Sequence, residues 1–372
     1  MIAVSRPFLG PEELAAVGEV FDTGWLGLGS TTLAFENALK EYLGARNVVA
    51  VNTGTSALHL ALAGFEIGPG DEVIVPSITF AACIQAIIAV GATPVFCESR
   101  EDDILLDLDD VERRITSRTR AIMPVHYCGN PCDMDRLLAM AQQHQLWIVE
   151  DAAHALGSTY KGRRIGSFGH ATCFSFDPIK NITCGEGGAV VLADDRVAEQ
   201  LRQMRILGMA KESWHRYKDK RNWYYEVTTP GFRYHMPNFC AAVGLVQMGK
   251  LDQFVARRRA ICRRYDIAFR ELASLHTLTV DYDNTAPHIY VVRVPGNRRE
   301  AFMGSLKEAG VDTGIHYLAN HLQPYFTRFV SEPLPVATRL SDEIVTLPLH
   351  FGLSDADVDC VIAAVVRFDE GA

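Results

Sequence analysis

Chemically capable residues are densest in Cys173-Phe-Ser-Phe-Asp-Pro-Ile-Lys-Asn-Ile-Thr-Cys-Gly-Glu-Gly-Gly188, with Lys180 near the centre. Residues 172–176 read as an apolar strand, and a glycine-rich bend follows at 185–188. A lysine just past a strand end, beside glycines that leave room, points into open space. Taken alone it is a solvated surface charge, as most lysines are. Two further stretches change that reading. Gln145-Leu-Trp-Ile-Val149 is an apolar strand that ends in Glu150-Asp151, placing a carboxylate at a strand end. Val48–Val51 is a second strand, and Asn52-Thr-Gly-Thr-Ser-Ala57 turns it into an apolar helix, Leu58 to Gly64. Small residues and hydroxyls in that turn serve as N-caps. They serve equally as an anion site, since free N–H groups and the helix dipole face a phosphate there.

Together these parts suit pyridoxal phosphate (PLP). A lysine amine forms a Schiff base with an aldehyde. A carboxylate favours the protonated form of a nearby pyridine nitrogen, and a protonated ring is an electron sink. The Thr/Ser/Gly turn can hold the phosphate, with a further hydroxyl from Ser175. Phe80 follows a strand closed by Pro76 and can cover one ring face.

These residues need a frame. Pro11, Glu12 and Glu13 mark a helix start, and 32–43 is a second helix behind the Gly24–Ser30 loop. Trp25, between the glycines of that loop, is a packing anchor or a wall of the substrate site. Strands at 72–75, 94–97, 121–125 and 145–149 alternate with helices at 80–90 and 134–144; a strand at 189–192 and a helix at 196–205 follow. Short apolar strands alternating with helices predict an α/β fold, its mostly parallel sheet covered on both faces. Sites in such sheets lie outside the carboxyl ends of the strands, where Asp151 and residues 53–56 fall. Residues 209–230 form a long excursion carrying Trp214, Tyr217, Trp223, Tyr224 and Tyr225, too aromatic for a disordered linker. A long helical stretch spans 238–272, with Arg257–Arg259 and Arg263–Arg264 on a solvated or inter-domain face. Then come a strand at 288–294, a helix at 299–309, a strand at 311–315 and a last helix at 354–368. This predicts a large domain over 1–245 and a smaller C-terminal α+β domain over 246–372.

The 372 residues exceed one ordinary core. A net charge of −9 with no basic block speaks against nucleic acid. Nine scattered cysteines suggest buried thiols in a reducing cytoplasm rather than a disulfide framework. Cys128 and Cys132 lack a second ligand pair, so no metal is expected. The N-terminus lacks the pattern of a signal peptide, and no apolar run reaches the ~18 residues of a membrane span. A Rossmann-type nucleotide module would need a Gly-x-Gly-x-x-Gly turn, which is absent.

The chain resembles the PLP-dependent sugar aminotransferases of the DegT/DnrJ/EryC1/StrS type, over nearly its whole length. The carriers are Thr-Gly-Thr-Ser-Ala-Leu (53–58), Gly-Asp-Glu-Val-Ile-Val-Pro-Ser-Ile-Thr-Phe (70–80), Pro-Val-His-Tyr-Cys-Gly (124–129), Glu-Asp-Ala-Ala-His-Ala (150–155), the lysine block (174–188) and His-Tyr-Leu-Ala-Asn-His-Leu-Gln-Pro-Tyr (316–325). The resemblance implies the aspartate-aminotransferase fold (fold type I), with Lys180 as Schiff-base lysine and Asp151 as partner of the pyridine nitrogen. Gly54, Thr55, Ser56 and Ser175 would hold the phosphate, Phe80 would stack on the ring, and His154 would stand near the ring hydroxyl. His316 and Tyr317 would contact the sugar. The family's asparagine, reaching a phosphate from the neighbouring subunit, is replaced here by Arg233 and His235 in Gly231-Phe-Arg-Tyr-His-Met236; a cation suits that contact physically. Relatives that dehydrate the sugar carry histidine at the lysine position, so Lys180 favours transamination over both dehydration and a non-catalytic PLP sensor. The implied substrates are glutamate and a nucleotide-linked keto sugar, a 4-keto-6-deoxyhexose ahead of a 3-keto sugar. The implied assembly is a homodimer with shared sites, in the cytoplasm and away from membranes.

Overall fold

Strands of four or five largely buried residues form the centre of the molecule. The computed structural model describes residues 1–210 and 225–371; Trp214, Tyr217, Trp223 and Tyr224 of the aromatic excursion lie outside them. The main strands are β1 (Asn47–Val51), β2 (Glu72–Pro76), β3 (Thr93–Cys97), β4 (Thr119–Ile122) and β5 (Trp147–Asp151). A short hairpin follows, β6 (Thr159–Tyr160) with β7 (Arg163–Arg164), and then β8 (Ala171–Ser175) and β9 (Gly188–Leu192). Seven strands form one sheet in the order β1-β9-β8-β5-β4-β2-β3. All five positions of β1, β2 and β9 are buried. Such strands carry no polar alternation because both faces are covered.

One strand runs against the rest: β9 is antiparallel to both β1 and β8. A parallel return needs a crossover of a dozen or more residues, usually helical. The β8–β9 connection contains no helix, so the chain must reverse, and Lys180 rides on that reversal.

Helices α1 (Pro11–Thr23), α2 (Ser30–Leu43), α3 (Gly54–Gly64), α4 (Ala81–Ala89), α5 (Leu108–Arg114), α6 (Met134–His144) and α7 (Asp195–Met204) accompany the sheet. α3 begins four residues before the apolar run at Leu58. Thr53 is its N-cap, accepting the Ser56 N–H at 3.0 Å, so the small polar turn is itself helical. The 238–272 stretch is two helices, Asn238–Met248 and Leu251–Phe269.

The smaller sheet has the order β10-β11-β12, from His276–Thr277, Tyr290–Arg293 and Ile344–Leu347. The strand expected at 311–315 is absent. Val311 bridges Ile2 and Gly314 bridges Thr346, so its two ends face different neighbours and no ladder forms. A helix at Pro335–Glu343 was not anticipated. The last helix, Asp355–Glu370, starts at Ser354, which accepts the Asp357 N–H.

The large core draws on residues 35–344, and a second core gathers Ile261, Tyr265, Phe302, Val345 and Val361. The expected division at 245/246 falls inside the helix Asn238–Met248. Along the next helix Val255 belongs to the large core and Ile261 to the second, and later residues such as Ala286 and Ala319 return to the large one.

Candidate active site

The ends of β1, β2, β4, β5 and β8 open onto one cavity of about 440 Å³. Of the residues expected at the site, Gly54, Thr55, Phe80, Asp151, His154, Ser175, Lys180, His316 and Tyr317 line it. The first turn of α3 abuts the end of β8. A Cβ on Gly54 would stand 2.7 Å from Ser175 Cβ, and one on Gly188 would stand 2.3 Å from the Thr53 carbonyl oxygen. Only glycine permits this approach. The Ser56 and Ala57 N–H groups are spent on Thr53. Those of Gly54 and Thr55 have no acceptor among the described residues and open the helix end to an anion.

Ser56 does not line the cavity. Its hydroxyl donates to Asn52 Oδ1 at 2.7 Å and lies 2.8 Å from Thr53 Oγ1. It braces the turn, and Thr55, one residue earlier, is the exposed hydroxyl. Trp25 is also elsewhere. Its indole N–H donates to the Leu28 carbonyl at 2.8 Å, and Asn238 Nδ2 donates to the Trp25 carbonyl at 3.2 Å. It anchors its loop.

Asp151 ends β5 and is 8% exposed. Its Oδ1 accepts the Ala153 N–H at 3.0 Å and its Oδ2 accepts the Cys83 thiol at 2.8 Å. Burial and the adjoining Asp151 carboxylate push the Cys83 thiol well above its ordinary pKa, so it stays a donor. Directly before Asp151, the buried Glu150 accepts from Gly169 N–H at 2.9 Å, from the Thr172 hydroxyl at 2.7 Å and from His126 Nε2 at 3.0 Å. His126 Nδ1 accepts the Cys132 N–H, so its proton sits on Nε2, toward Glu150. That network fixes the strand end that presents Asp151.

Lys180 is half-buried. Burial lowers its amine pKa, opposed by Asp177, Asp151 and Cys83. The neighbouring Asn181 clamps its backbone. Asn181 Nδ2 donates to the Leu156 and Ala286 carbonyls at 3.1 and 3.2 Å, and its Oδ1 accepts Arg258 at 2.6 Å. Arg258 is 4% exposed, and burial lowers its pKa to about 10. The solvated alternative therefore fails for this arginine, which lies on a helix between the two cores and faces inward. Arg257 and Arg264 do pair with Asp355 at the surface, and Arg263 with Asp283.

Phe80 is 58% exposed and forms a wall beside the Tyr317 ring, 5.6 Å away between centroids. His154 Nε2 lies 3.1 Å from the Tyr317 hydroxyl. His316 Nδ1 lies 2.9 Å from the Thr346 hydroxyl, and its carbonyl accepts the Tyr127 hydroxyl. Burial, with Lys180 nearby, lowers the pKa of His316 to about 4 and that of His154 well below the usual histidine value. Glu186 shares the cavity, its pKa raised by burial and by Asp177.

Arg233 and His235 do not line this cavity. They run along the outer edge of the sheet: His235 bridges Val51, Asn52 N–H donates to the Tyr234 carbonyl at 2.7 Å, and Arg233 is exposed. Sequence reading missed Cys83, Asn181, Arg258 and His288, whose Nε2 lies 3.5 Å from Lys180 Nζ.

An amine and a carboxylate sharing one cavity, with a helix N-terminus open to an anion, define an enzyme that works through a phosphorylated carbonyl cofactor. The chain belongs to the DegT/DnrJ/EryC1/StrS aminotransferase family, which it matches over residues 7–366. It is 41% identical to the spore coat polysaccharide biosynthesis protein SpsC of Bacillus subtilis (strain 168), covering 99% of this chain and 97% of that one. Its fold matches the putative sugar aminotransferase Spr1654 of Streptococcus pneumoniae in its PMP form (TM-score 0.94, 32% identity, 100% of both chains). The PLP form of that protein matches with a TM-score of 0.92 at 32% identity, over 100% of this chain and 99% of that one. Helicobacter pylori PseC, an aminotransferase involved in the biosynthesis of pseudoaminic acid, matches with a TM-score of 0.92 at 28% identity over 100% of both chains.

Proposed function

We propose that this aminotransferase moves an amino group from glutamate to a nucleotide-linked keto sugar, a 4-keto-6-deoxyhexose, in amino-sugar or polysaccharide biosynthesis, with PLP as cofactor. The observation that carries this reading is the placement of Lys180 and Asp151 in one cavity with the open N-terminus of α3. The residues fit the cofactor. The unspent N–H groups of Gly54 and Thr55, with the Thr55 and Ser175 hydroxyls, suit its phosphate. Phe80 offers an exposed aromatic face to the ring, and His154 a ring nitrogen to its hydroxyl. When bound, PLP supplies an electron sink for the carbon from which a proton is removed.

This chain's residues supply the rest. Asp151, held by Ala153 and Cys83, would keep a proton on the pyridine nitrogen. Lys180 Nζ would hold the cofactor, and as a free amine it would take a proton from the amino acid's α-carbon and, in the second half-reaction, give one to the sugar carbon. Its lowered pKa favours the free amine that this work needs. His316 and Tyr317, on the wall facing Lys180, suit the sugar. The choice of the 4-keto over the 3-keto position rests on the family resemblance.

A homodimer with shared sites accompanies this reading. Leu14, Phe21 and Leu26 leave an exposed apolar face on α1 and the loop after it, suited to a second copy. Arg233 and His235, off their own cavity, would meet a partner's cofactor phosphate or sugar nucleotide. All nine cysteines are free thiols, which suits the reducing cytoplasm. No helix among the described residues is long and apolar enough to cross a membrane.

The test is a screen of keto-sugar nucleotides with glutamate, read by mass spectrometry of the product and by initial rates. Aminated sugar and parallel double-reciprocal lines are expected, since the first product leaves before the sugar binds. Intersecting lines, or amination of simple 2-oxo acids with no keto sugar accepted, would refute it.

A further inference from the structure

His288 stands against Lys180, is 2% exposed, and has no part in the chemistry above. The backbone fixes its place. Its N–H donates to the Cys128 carbonyl at 3.1 Å, and Ala286 N–H donates to Ser158 Oγ at 2.8 Å. The Ala286 carbonyl accepts Asn181 Nδ2, and the Asn284 carbonyl accepts the Thr159 N–H at 2.8 Å. Four bonds thus stitch residues 284–288 onto the large domain. The ring is anchored, while the lysine has four rotatable bonds to approach it. Nε2 lies 3.5 Å from Lys180 Nζ, the outer limit of a hydrogen bond.

The ring's other nitrogen decides the direction of that bond. His288 Nδ1 is buried and has no partner among the described residues. A buried N–H without an acceptor is rarer than an acceptor left short, and in a neutral imidazole the proton follows the available hydrogen bond. The proton therefore sits on Nε2, facing the lysine. A second proton is resisted by burial first, then by Lys180, His154, Arg258 and His316 around the ring. An imidazole N–H needs a lone pair opposite it, which a free amine has and an ammonium lacks.

We infer that His288 is a positioning residue for Lys180: whenever the lysine is not bonded to the cofactor, the Nε2–H of His288 holds its amine as the free base. This rests on the aminotransferase reading, in which the lysine is released and recaptured in every cycle. Asp151 and Asp177 pull the other way, toward the ammonium, so the histidine offsets the carboxylates that the cofactor site requires.

The test uses protein loaded with pyridoxamine phosphate, in which Lys180 is free, and no substrate. Pulse acetylation, read by peptide mass spectrometry, reports the free-amine fraction of each lysine. His288→Phe keeps a ring and removes the donor. At neutral pH it should label Lys180 about fivefold less than wild type, the worth of one net hydrogen bond, with surface lysines unchanged. His288→Gln, whose amide can donate, should recover most of the labelling. Equal or greater labelling in His288→Phe overturns the inference. If that variant does not fold, histidine nitrogen NMR on the wild-type protein decides: Nε2 protonated supports it and Nδ1 protonated overturns it. Failure to aminate any keto sugar would refute the proposed function and leave these readouts standing.

Discussion

Replacing Asp151 by Asn tests the electronic half of the site. The asparagine is nearly isosteric and can still accept the Ala153 N–H at Oδ1. It loses the charge, and its NH2 faces the Cys83 thiol that now donates to Oδ2 at 2.8 Å. Asp151 is 8% exposed, so its charge acts in a poorly solvated place. Two unit charges about 3 Å apart at an effective dielectric near 20 attract by about 5 kcal/mol. Removing one partner of a buried pair typically costs about 3–5 kcal/mol. The half-reaction with the amino donor should therefore slow between about a hundredfold and several thousandfold. Single-turnover absorbance of the loaded protein measures this, with circular dichroism confirming the fold. A loss below about tenfold, or ~1.4 kcal/mol, would show that another acid serves the ring.

Two other outcomes follow from the same contacts. Asn181→Leu removes the acceptor that Arg258 meets at 2.6 Å and leaves a buried guanidinium short of partners; urea denaturation should show a loss of about 3 kcal/mol, and a loss under about 1 kcal/mol would make that clamp incidental. The three histidines around Lys180 should also make stability depend on pH. Burial holds all three below the usual histidine value, His316 at about 4. The unfolded chain takes up protons on these rings below about pH 6.5 that the folded chain refuses. The melting temperature should thus fall as pH drops from about 6.5 toward 4, and His316→Gln should flatten the fall. An unchanged slope in that variant would contradict the assignment.

What the sequence revealed was local. Lys180, Asp151 and the Thr53–Ser56 turn each sit where an apolar run meets polar or glycine residues, so strand ends could be placed by eye. Choosing between Thr55 and Ser56 needed the helix register, since a start at Gly54 turns one hydroxyl outward and folds the other onto the cap. The supports were invisible for a different reason. Cys83 reaches Asp151 across 68 residues, Arg258 reaches Asn181 across 77, and His288 reaches Lys180 across 108. No periodicity encodes such pairs. Arg258 looked like its arginine neighbours because charge spacing cannot tell the one buried face of a helix that passes between two cores.

The central claim is that Lys180 carries the cofactor. Borohydride reduction of the PLP-loaded protein, followed by peptide mass spectrometry, tests it most directly. A pyridoxyl group on the peptide holding Lys180, absent from Lys180→Ala, is the predicted result. The label on another lysine, or undiminished transamination by Lys180→Ala, would contradict the account.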